Sequence, residues 1–171
     1  MLLVGDEWRA MFRGIQSEAW RLETLPQYLV PQESIELESF RAGKRIDPVT
    51  YSSPYAEDLK RLRGEGKRKG RVHVLTQPLS EYLRFEFSRY YAPHALAGEK
   101  IRILDITGRE NPLQGVQDFW LFDRSTVVLM NYEDDGTQIN RELYEGDPAP
   151  FVEYQRIAEA KSVPFQEYLK E

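Results

Sequence analysis

Apolar residues in the first third of the chain recur every three or four positions, the spacing of one face of a helix. A first stripe runs from Trp8 to Leu22 and ends before Pro26. Residues 31–42 and 55–63 show the same spacing and predict two further helices. The pattern therefore predicts a helical N-terminal segment over residues 1–66.

After residue 70 the pattern changes to short runs of β-branched and aromatic residues. Residues 71–76 and 101–105 predict two strands, and a helix that begins near Ser80 joins them. A strand, a crossover helix and a second strand of this length form a parallel, right-handed βαβ unit. Residues 119–122 and 126–132 predict an antiparallel hairpin, because a three-residue connection allows no other pairing.

The last part of the chain predicts a polar edge strand over 139–144, a helix from Pro148 or Pro150, and a short closing helix over 163–169. Together these elements predict an α/β (or α+β) fold in which helices flank a mixed sheet of about five strands. We expect a single domain, 1–171, with three parts: a helical N-terminal segment (1–66), a sheet region (70–145) and C-terminal helices (148–171).

Composition narrows the class of protein. Hydrophobic residues make up 41% of the chain and charged residues 30%, as in a soluble globular protein. There is no cysteine, which excludes disulfides and thiolate chemistry and is typical of a cytoplasmic protein. No apolar run approaches the roughly 18 residues that a membrane span needs. We therefore expect a cytoplasmic protein with no membrane contact.

Charge is distributed unevenly along the chain. The net charge is −5, yet residues 60–71 contain seven basic residues and one acid, whereas residues 110–171 contain thirteen acids and five bases. Glycines space the basic segment 63–71, which predicts a mobile loop whose Lys67, Arg68 and Lys69 contact an acidic protein partner, either a regulator or a second copy. Direct nucleic-acid binding is not expected, since the net charge repels DNA and no aromatic residue lies among the bases.

Three sequence motifs carry a resemblance to a known family. They are Trp20-Arg21-Leu22-Glu23, Arg71-Val72-His73-Val74 with Pro78-Leu79-Ser80-Glu81-Tyr82-Leu83-Arg84, and Asp118-Phe119-Trp120-Leu121-Phe122-Asp123. The chain resembles an actinobacterial family of small proteins, a domain of unknown function that is often encoded near helix-turn-helix regulators. The resemblance implies a regulatory setting and brings no catalytic residues with it.

The predicted topology is also similar to half of a phospholipase-D-like domain, which some transcription regulators use as a ligand sensor. That enzyme family carries a His-x-Lys motif on the hairpin. Residues 117–132 contain neither His nor Lys. The topology therefore implies at most a sensor without that chemistry.

A small anionic ligand is the guest we expect at the carboxyl ends of the parallel strands, where an open α/β sheet leaves a crevice and the crossover helix begins. The residues at this position are Thr76, Gln77, Ser80, Arg84 and Asp105. Non-catalytic ligand sensing beside a transcription regulator is thus the leading functional hypothesis.

The alternative is a small hydrolase or transferase that acts on a phosphate- or carboxylate-bearing metabolite. Its catalytic residues would be His73, Arg84 and Glu86, with Arg71 beside them. Neither histidine has a partner four residues away, so we expect no metal and no cofactor. An internal arginine is expensive unless it is paired, and either internal acids or an anionic ligand would neutralise these arginines.

Overall fold

A seven-stranded mixed β-sheet forms the centre of the computed structural model, which describes all residues, 1–171. The strands are β1 (Glu18–Glu23), β2 (Arg68–Leu75), β3 (Lys100–Asp105), β4 (Phe119–Phe122), β5 (Thr126–Tyr132), β6 (Gln138–Leu143) and β7 (Val163–Pro164). Their order across the sheet is β6-β5-β4-β1-β2-β3-β7. The predicted α/β class is confirmed, with two strands more than the five expected.

The helices connect the strands and cover the sheet. They are α1 (Gly5–Arg13), α2 (Ser34–Arg41), α3 (Pro54–Gly64), α4 (Glu81–Glu86), α5 (Ala92–Ala97), α6 (Ala149–Lys161) and α7 (Phe165–Tyr168). A 3-10 turn, Pro31–Glu33, precedes α2, and a π-helical turn, Phe87–Tyr91, joins α4 to α5. Pro93 accounts for the π turn, since it has no N–H to donate and its ring would clash with the carbonyl group four residues earlier in a regular α-helix.

The predicted βαβ unit and hairpin are both present. β2 and β3 pair in parallel, and the helical segment 81–97 connects them. Ser80 caps α4, because its Oγ accepts the Leu83 N–H at 3.1 Å. β4 and β5 pair antiparallel, and Asp123 and Arg124 form their tight turn with φ of 53° and 55°.

The N-terminal segment departs from its prediction as a purely helical region. The first helix ends at Arg13, and Glu18–Glu23 forms β1, which pairs with β2 on one side and β4 on the other. Ala19 and Leu22 fit a helical stripe, but the residues from 18 to 23 also alternate between two environments across a sheet. Burial on both faces of the sheet decides in favour of the strand.

Two further boundaries also differ from expectation. β2 begins at Arg68, so the predicted basic loop is partly strand. The predicted closing helix begins with the short strand β7, which pairs with β3 before α7 starts at Phe165.

The two faces of the sheet differ in polarity. On the face that α6 covers, one continuous apolar cluster includes Trp20, Leu22, Val72 and Val74. On the opposite face the apolar residues form two separate clusters, one around Trp120 and one around Phe87, Tyr91 and Ile103. Charged side chains from β1 and β2 occupy the space between these two clusters.

Candidate ligand-binding site

A strip of polar side chains crosses the middle of the sheet on the face opposite α6. It consists of Arg21 and Glu23 from β1 and of Lys69, Arg71 and His73 from β2, at alternating positions that point to one face. The parallel register sets Arg21 beside Arg71 and Glu23 beside His73. Because β1 and β2 lie inside the sheet, four of these ionisable groups are buried and the fifth, Arg71, is only 14% exposed, so they must find partners there.

A pocket of about 770 Å³ lies over this polar strip. Its volume falls in the range of small-molecule sites, roughly 300–1,000 Å³. α1, the segment 28–33, the start of α3 and the helical segment 82–94 form its walls. Aromatic residues dominate the lining: Trp8, Phe12, Tyr28, Tyr51, Tyr55, Tyr82, Tyr90, Tyr91, Trp120 and Tyr132.

Arg71 is the central cation of the polar strip, and internal acids neutralise it. Its Nη1 donates to Glu23 Oε1 at 2.8 Å, and its Nε donates to Glu99 Oε2 at 2.6 Å. Tyr55 joins this group, because its hydroxyl donates to Glu99 Oε1 at 2.5 Å. Burial alone would raise the pKa of Glu23, but Arg71 and His73 outweigh it and lower that pKa to about 2.

A second buried ion pair lies at the β4 side of the strip. Arg21 contacts Asp118 at 3.1 Å, and both side chains are at most 5% exposed. Asp118 also accepts hydrogen bonds from the Tyr28 hydroxyl and the Thr24 N–H, so it holds the chain that follows β1. Asp118 therefore pairs with a buried arginine as well as serving as the strand-end residue that its position suggests.

The hydrogen bonds of His73 define its protonation. Its Nε2 lies 2.9 Å from the Leu25 carbonyl oxygen, so Nε2 carries a proton. The Tyr91 hydroxyl donates to Glu23 at 2.6 Å and lies 2.9 Å from His73 Nδ1. Since that hydroxyl has one hydrogen, His73 Nδ1–H must donate to it. Burial opposes this charge, but Glu86 and Glu23 raise the pKa of His73 to about 9.

Two carboxyl groups form what we call the acid side of the pocket, Glu33 and Glu86. Glu86 is 5% exposed, and its Oε1 has no hydrogen-bond partner, lying 3.4 Å from His73 Nδ1. Glu33 accepts the Tyr82 hydroxyl at 3.1 Å and contacts no cation. Burial, together with the charge of Glu86, raises the pKa of Glu33 to about 7; burial and the charge of Glu23 also raise the pKa of Glu86.

Two cations without a protein counter-ion form the cation side, Lys69 and Arg141. Lys69 is 8% exposed, makes no hydrogen bond, and its Nζ lies 4.2 Å from the Tyr55 ring centroid and 4.6 Å from that of Phe12. Arg141 lies over Trp8 at 4.9 Å, and its Nε is buried without a partner. Burial lowers the pKa of both groups, that of Lys69 to about 8.

The two sides lie at different ends of the polar strip. Lys69 and His73 are four residues apart on β2, which corresponds to about 13 Å at the Cα atoms. Glu86 lies against His73, and Lys69 lies among Phe12, Tyr55 and Trp120. The pocket thus presents the unpaired Lys69 at one end of the polar strip and the carboxyl groups of Glu33 and Glu86 at the other.

A metal ion fits this strip poorly. Glu23, His73 and Glu86 bring their ligand atoms within 4.8 Å of one another. Both ring nitrogens of His73 are engaged, however, and the Arg71 guanidinium contacts Glu23 at 2.8 Å. A cation would have to displace these bonds and approach a fixed positive charge.

The proposed catalytic set is only partly assembled. His73 and Glu86 lie together, but Arg84 is exposed and its Nη1 donates to the Leu79 carbonyl at 2.7 Å. Arg84 is off this site because it lies on the outer face of α4. Its predicted role beside His73 and Glu86 is therefore wrong.

The predicted anion site at the strand ends is occupied by internal hydrogen bonds. The Gln77 N–H donates to Thr107, Ser80 Oγ donates to the Pro26 carbonyl, and Asp105 accepts the Tyr168 hydroxyl. Thr76 is exposed. A cavity of about 290 Å³ lies beside Asp105, but Thr76, Gln77, Ser80 and Arg84 do not line it. Ligand binding there stays a prediction, and the larger pocket lies elsewhere.

The three predicted partner-binding residues have different environments. Lys67 contacts Glu65 at 3.2 Å near the surface, and Arg68 is half exposed but pairs with the buried Glu18. Lys69 is inside the pocket, so its prediction as part of an exposed loop is wrong. Strand alternation is the cause: Arg68 and Gly70 face one side of the sheet, and Lys69 and Arg71 face the other. His94, the other histidine, is 8% exposed and its ring lies against Tyr55.

Sequence reasoning missed several pocket residues, notably Tyr28, Glu33, Tyr132 and Arg141. The signal that could have found the site is the run of charges at every second position of two apolar strands, namely at 21 and 23 and at 69, 71 and 73. Such alternation in an interior strand indicates a polar cluster on one face.

The fold and pocket define an α/β protein with a cavity of about 770 Å³ over one face of a mixed sheet. Residues 6–170 match the family DUF6879, a domain of unknown function, and the chain belongs to that family. No curated protein sequence matches the chain. The longest helix has 13 residues, and none of the helices has the length and apolar character needed to cross a membrane.

Proposed function

We propose that this protein is a cytoplasmic ligand-sensing accessory protein that binds a small organic anion in the 770 Å³ pocket and works with a transcription regulator. One observation carries the binding function: Lys69 is a nine-tenths buried ammonium with neither an ion pair nor a hydrogen bond, and it faces the pocket. A buried charge is normally paired. An anionic group in the pocket would supply the missing partner.

The lining fits an anion with an apolar body. Trp8, Phe12 and Trp120 pack edge to face between Lys69 and Arg141, so an apolar group can lie on rings while its acid reaches a cation. Arg71 and Arg21 are already neutralised by acids of the chain. Lys69 and Arg141 are therefore the groups that an anion would bind.

Binding is favoured over catalysis by the position of His73. This residue is fully buried, both of its ring nitrogens are engaged, and it does not line the pocket. A general base must reach the proton it removes, at about 2.6–3.2 Å or through one water. The metabolite enzyme of the alternative hypothesis would thus need a different base.

The regulatory part of the proposal rests on the family resemblance and on surface charge. Lys67 and Arg68 lie at the start of β2, on the molecular surface. They are candidates for contact with an acidic face of a regulator or of a second copy, and screening by salt would weaken that contact.

A calorimetric comparison tests the binding function. We expect phenylpropionate or octanoate to bind the wild type and to bind Lys69→Met at least about tenfold more weakly, because a charge-assisted contact is lost. Lys67→Met is the matched control, since it removes a surface lysine two residues away. Absence of binding by any organic acid, or equal binding by Lys69→Met, would contradict the proposal.

A further inference from the structure

The acid side of the pocket is unexplained by an anionic ligand alone. Glu33 and Glu86 face the same cavity as Lys69. Glu86 Oε1 is buried and has no hydrogen-bond partner, and no lysine or arginine contacts Glu33. A purely anionic ligand would leave Glu33 without a cation and Glu86 with only His73, whose Nδ1 lies 3.4 Å from Glu86 Oε1.

The charges around Glu86 leave an excess of acid at this end. Arg71 and His73 are the two cations, and they serve three carboxyl groups, Glu23, Glu86 and Glu99. Glu33 adds a fourth carboxyl group. The raised pKa values of Glu33 and Glu86 are the expected response of buried acids at an end where carboxyl groups outnumber cations.

Neighbouring tyrosines make this end suitable for an ammonium group. Tyr82 donates its hydroxyl to Glu33, and the Tyr28 ring lies 6.0 Å from that of Tyr82. Tyr90 lines the same wall. Tyrosine rings attract cations through their faces, and the attraction is stronger where water is excluded.

From this geometry we infer that the ligand is a zwitterion, with an ammonium group between Glu33 and Glu86 and a carboxylate at Lys69. The inference deepens the proposed function and rests on it. Lys69 and His73, beside which Glu86 lies, are about 13 Å apart along β2 at their Cα atoms. A peptide of three residues, which spans about 10 Å when extended, has its charged termini at a suitable distance.

Three matched probes test the inference: trileucine, N-acetyl-trileucine and trileucine amide. The first has both charges, the second only the carboxylate and the third only the ammonium. We expect trileucine to bind the wild type at least about tenfold more tightly than either blocked peptide. In Glu33→Gln, trileucine should lose that advantage over the acetylated peptide, whereas Glu38→Gln, an exposed acid on α2, should keep it.

Proton release provides a second readout. An ammonium ligand favours the ionised form of Glu33, which is about half protonated at pH 7, so binding at that pH should release up to about half a proton. Titrations in two buffers of different ionisation enthalpy measure this release. We expect it for trileucine and not for N-acetyl-trileucine, and we expect it to fall in Glu33→Gln.

The outcomes separate this inference from the proposed function. If N-acetyl-trileucine binds as tightly as trileucine and Lys69→Met weakens both, the anion site stands and the zwitterion inference is overturned. If Lys69→Met changes nothing, the proposed function itself fails. Tighter binding of trileucine amide than of trileucine would also overturn the zwitterion, because the carboxylate would then be unfavourable.

Discussion

Two cations on the same strand, two residues apart, have opposite consequences for stability. Arg71 is surrounded by Glu23, Glu99 and the Tyr55 hydroxyl, whereas Lys69 has no ion pair or side-chain hydrogen bond and lies against aromatic rings. Breaking a buried ion pair by removing one partner costs about 3–5 kcal/mol, because a charge is left uncompensated. Removing an unpaired buried charge has no such cost.

We therefore predict opposite signs for two methionine variants. Arg71→Met should lower the free energy of unfolding by about 3–5 kcal/mol, since Glu23 and Glu99 lose their cation. Lys69→Met should leave it unchanged or raise it by about 1 kcal/mol, because the aliphatic stem stays packed while the desolvated ammonium disappears. Urea unfolding of both variants measures the difference. A large loss of stability in Lys69→Met would show that its contacts with the rings are structural.

At the scale of elements, the sheet brings together loops that are far apart in sequence. The segment that carries Tyr28 is held against the turn between β5 and β6: the Leu29 N–H donates to the Gly136 carbonyl at 3.0 Å, and Gln27 Nε2 donates to Asp135. Gly136 has a φ of +93°, and a Cβ there would overlap the Gln27 carbonyl oxygen. This contact positions one wall of the pocket.

Gly136→Ala should accordingly lower the free energy of unfolding by about 2 kcal/mol or more, from backbone strain and from the clash. Gly108→Ala is the matched control, because Gly108 also has a positive φ, +67°, but open space around it. Gly108→Ala should lower the free energy of unfolding by only about 1 kcal/mol, from backbone strain alone. Chemical denaturation gives both values, and equal losses would mean that the approach of Gln27 to Gly136 is unimportant.

The same dependence on distant elements limits what the sequence could predict. The βαβ unit and the hairpin were predictable because each is local, and strand length, turn and cap signals occur together. β1 was not predictable in this way. Ile15, Ala19 and Leu22 fit one helical stripe, and a strand over residues 18–23 becomes the better assignment only when its neighbouring strands are known. Glu33 and Arg141 reach the pocket only through the order of the strands, which no local pattern contains.

Across the whole molecule, the buried ionisable groups make stability depend on pH. His73 has a pKa of about 9 in the folded chain against 6.5 unperturbed, so it contributes stability that is complete below pH 6.5 and is lost as the pH rises through 9. Glu33, whose pKa is raised from 4.5 to about 7, also contributes stability that is lost as the pH rises, over a lower pH range. Burial lowers the pKa of His94 to about 4 and that of Lys69 to about 8. For both groups the free energy of unfolding therefore rises as the pH rises.

Among these groups, His73 makes the largest contribution between pH 6.5 and 8. Glu33, half ionised at pH 7, adds a smaller fall in stability over the same interval, and His94 and Lys69 add smaller rises at its lower and upper ends. We predict that the free energy of unfolding of the wild type falls across this interval. In His73→Gln, which keeps a donor for the Leu25 carbonyl but cannot titrate, the curve should be much flatter. Urea unfolding at pH 6.5, 7.2 and 8.0 measures the slope, and parallel curves for the two proteins would mean that His73 is neutral in the folded state, with the Tyr91 proton directed at its Nδ1 instead of at Glu23.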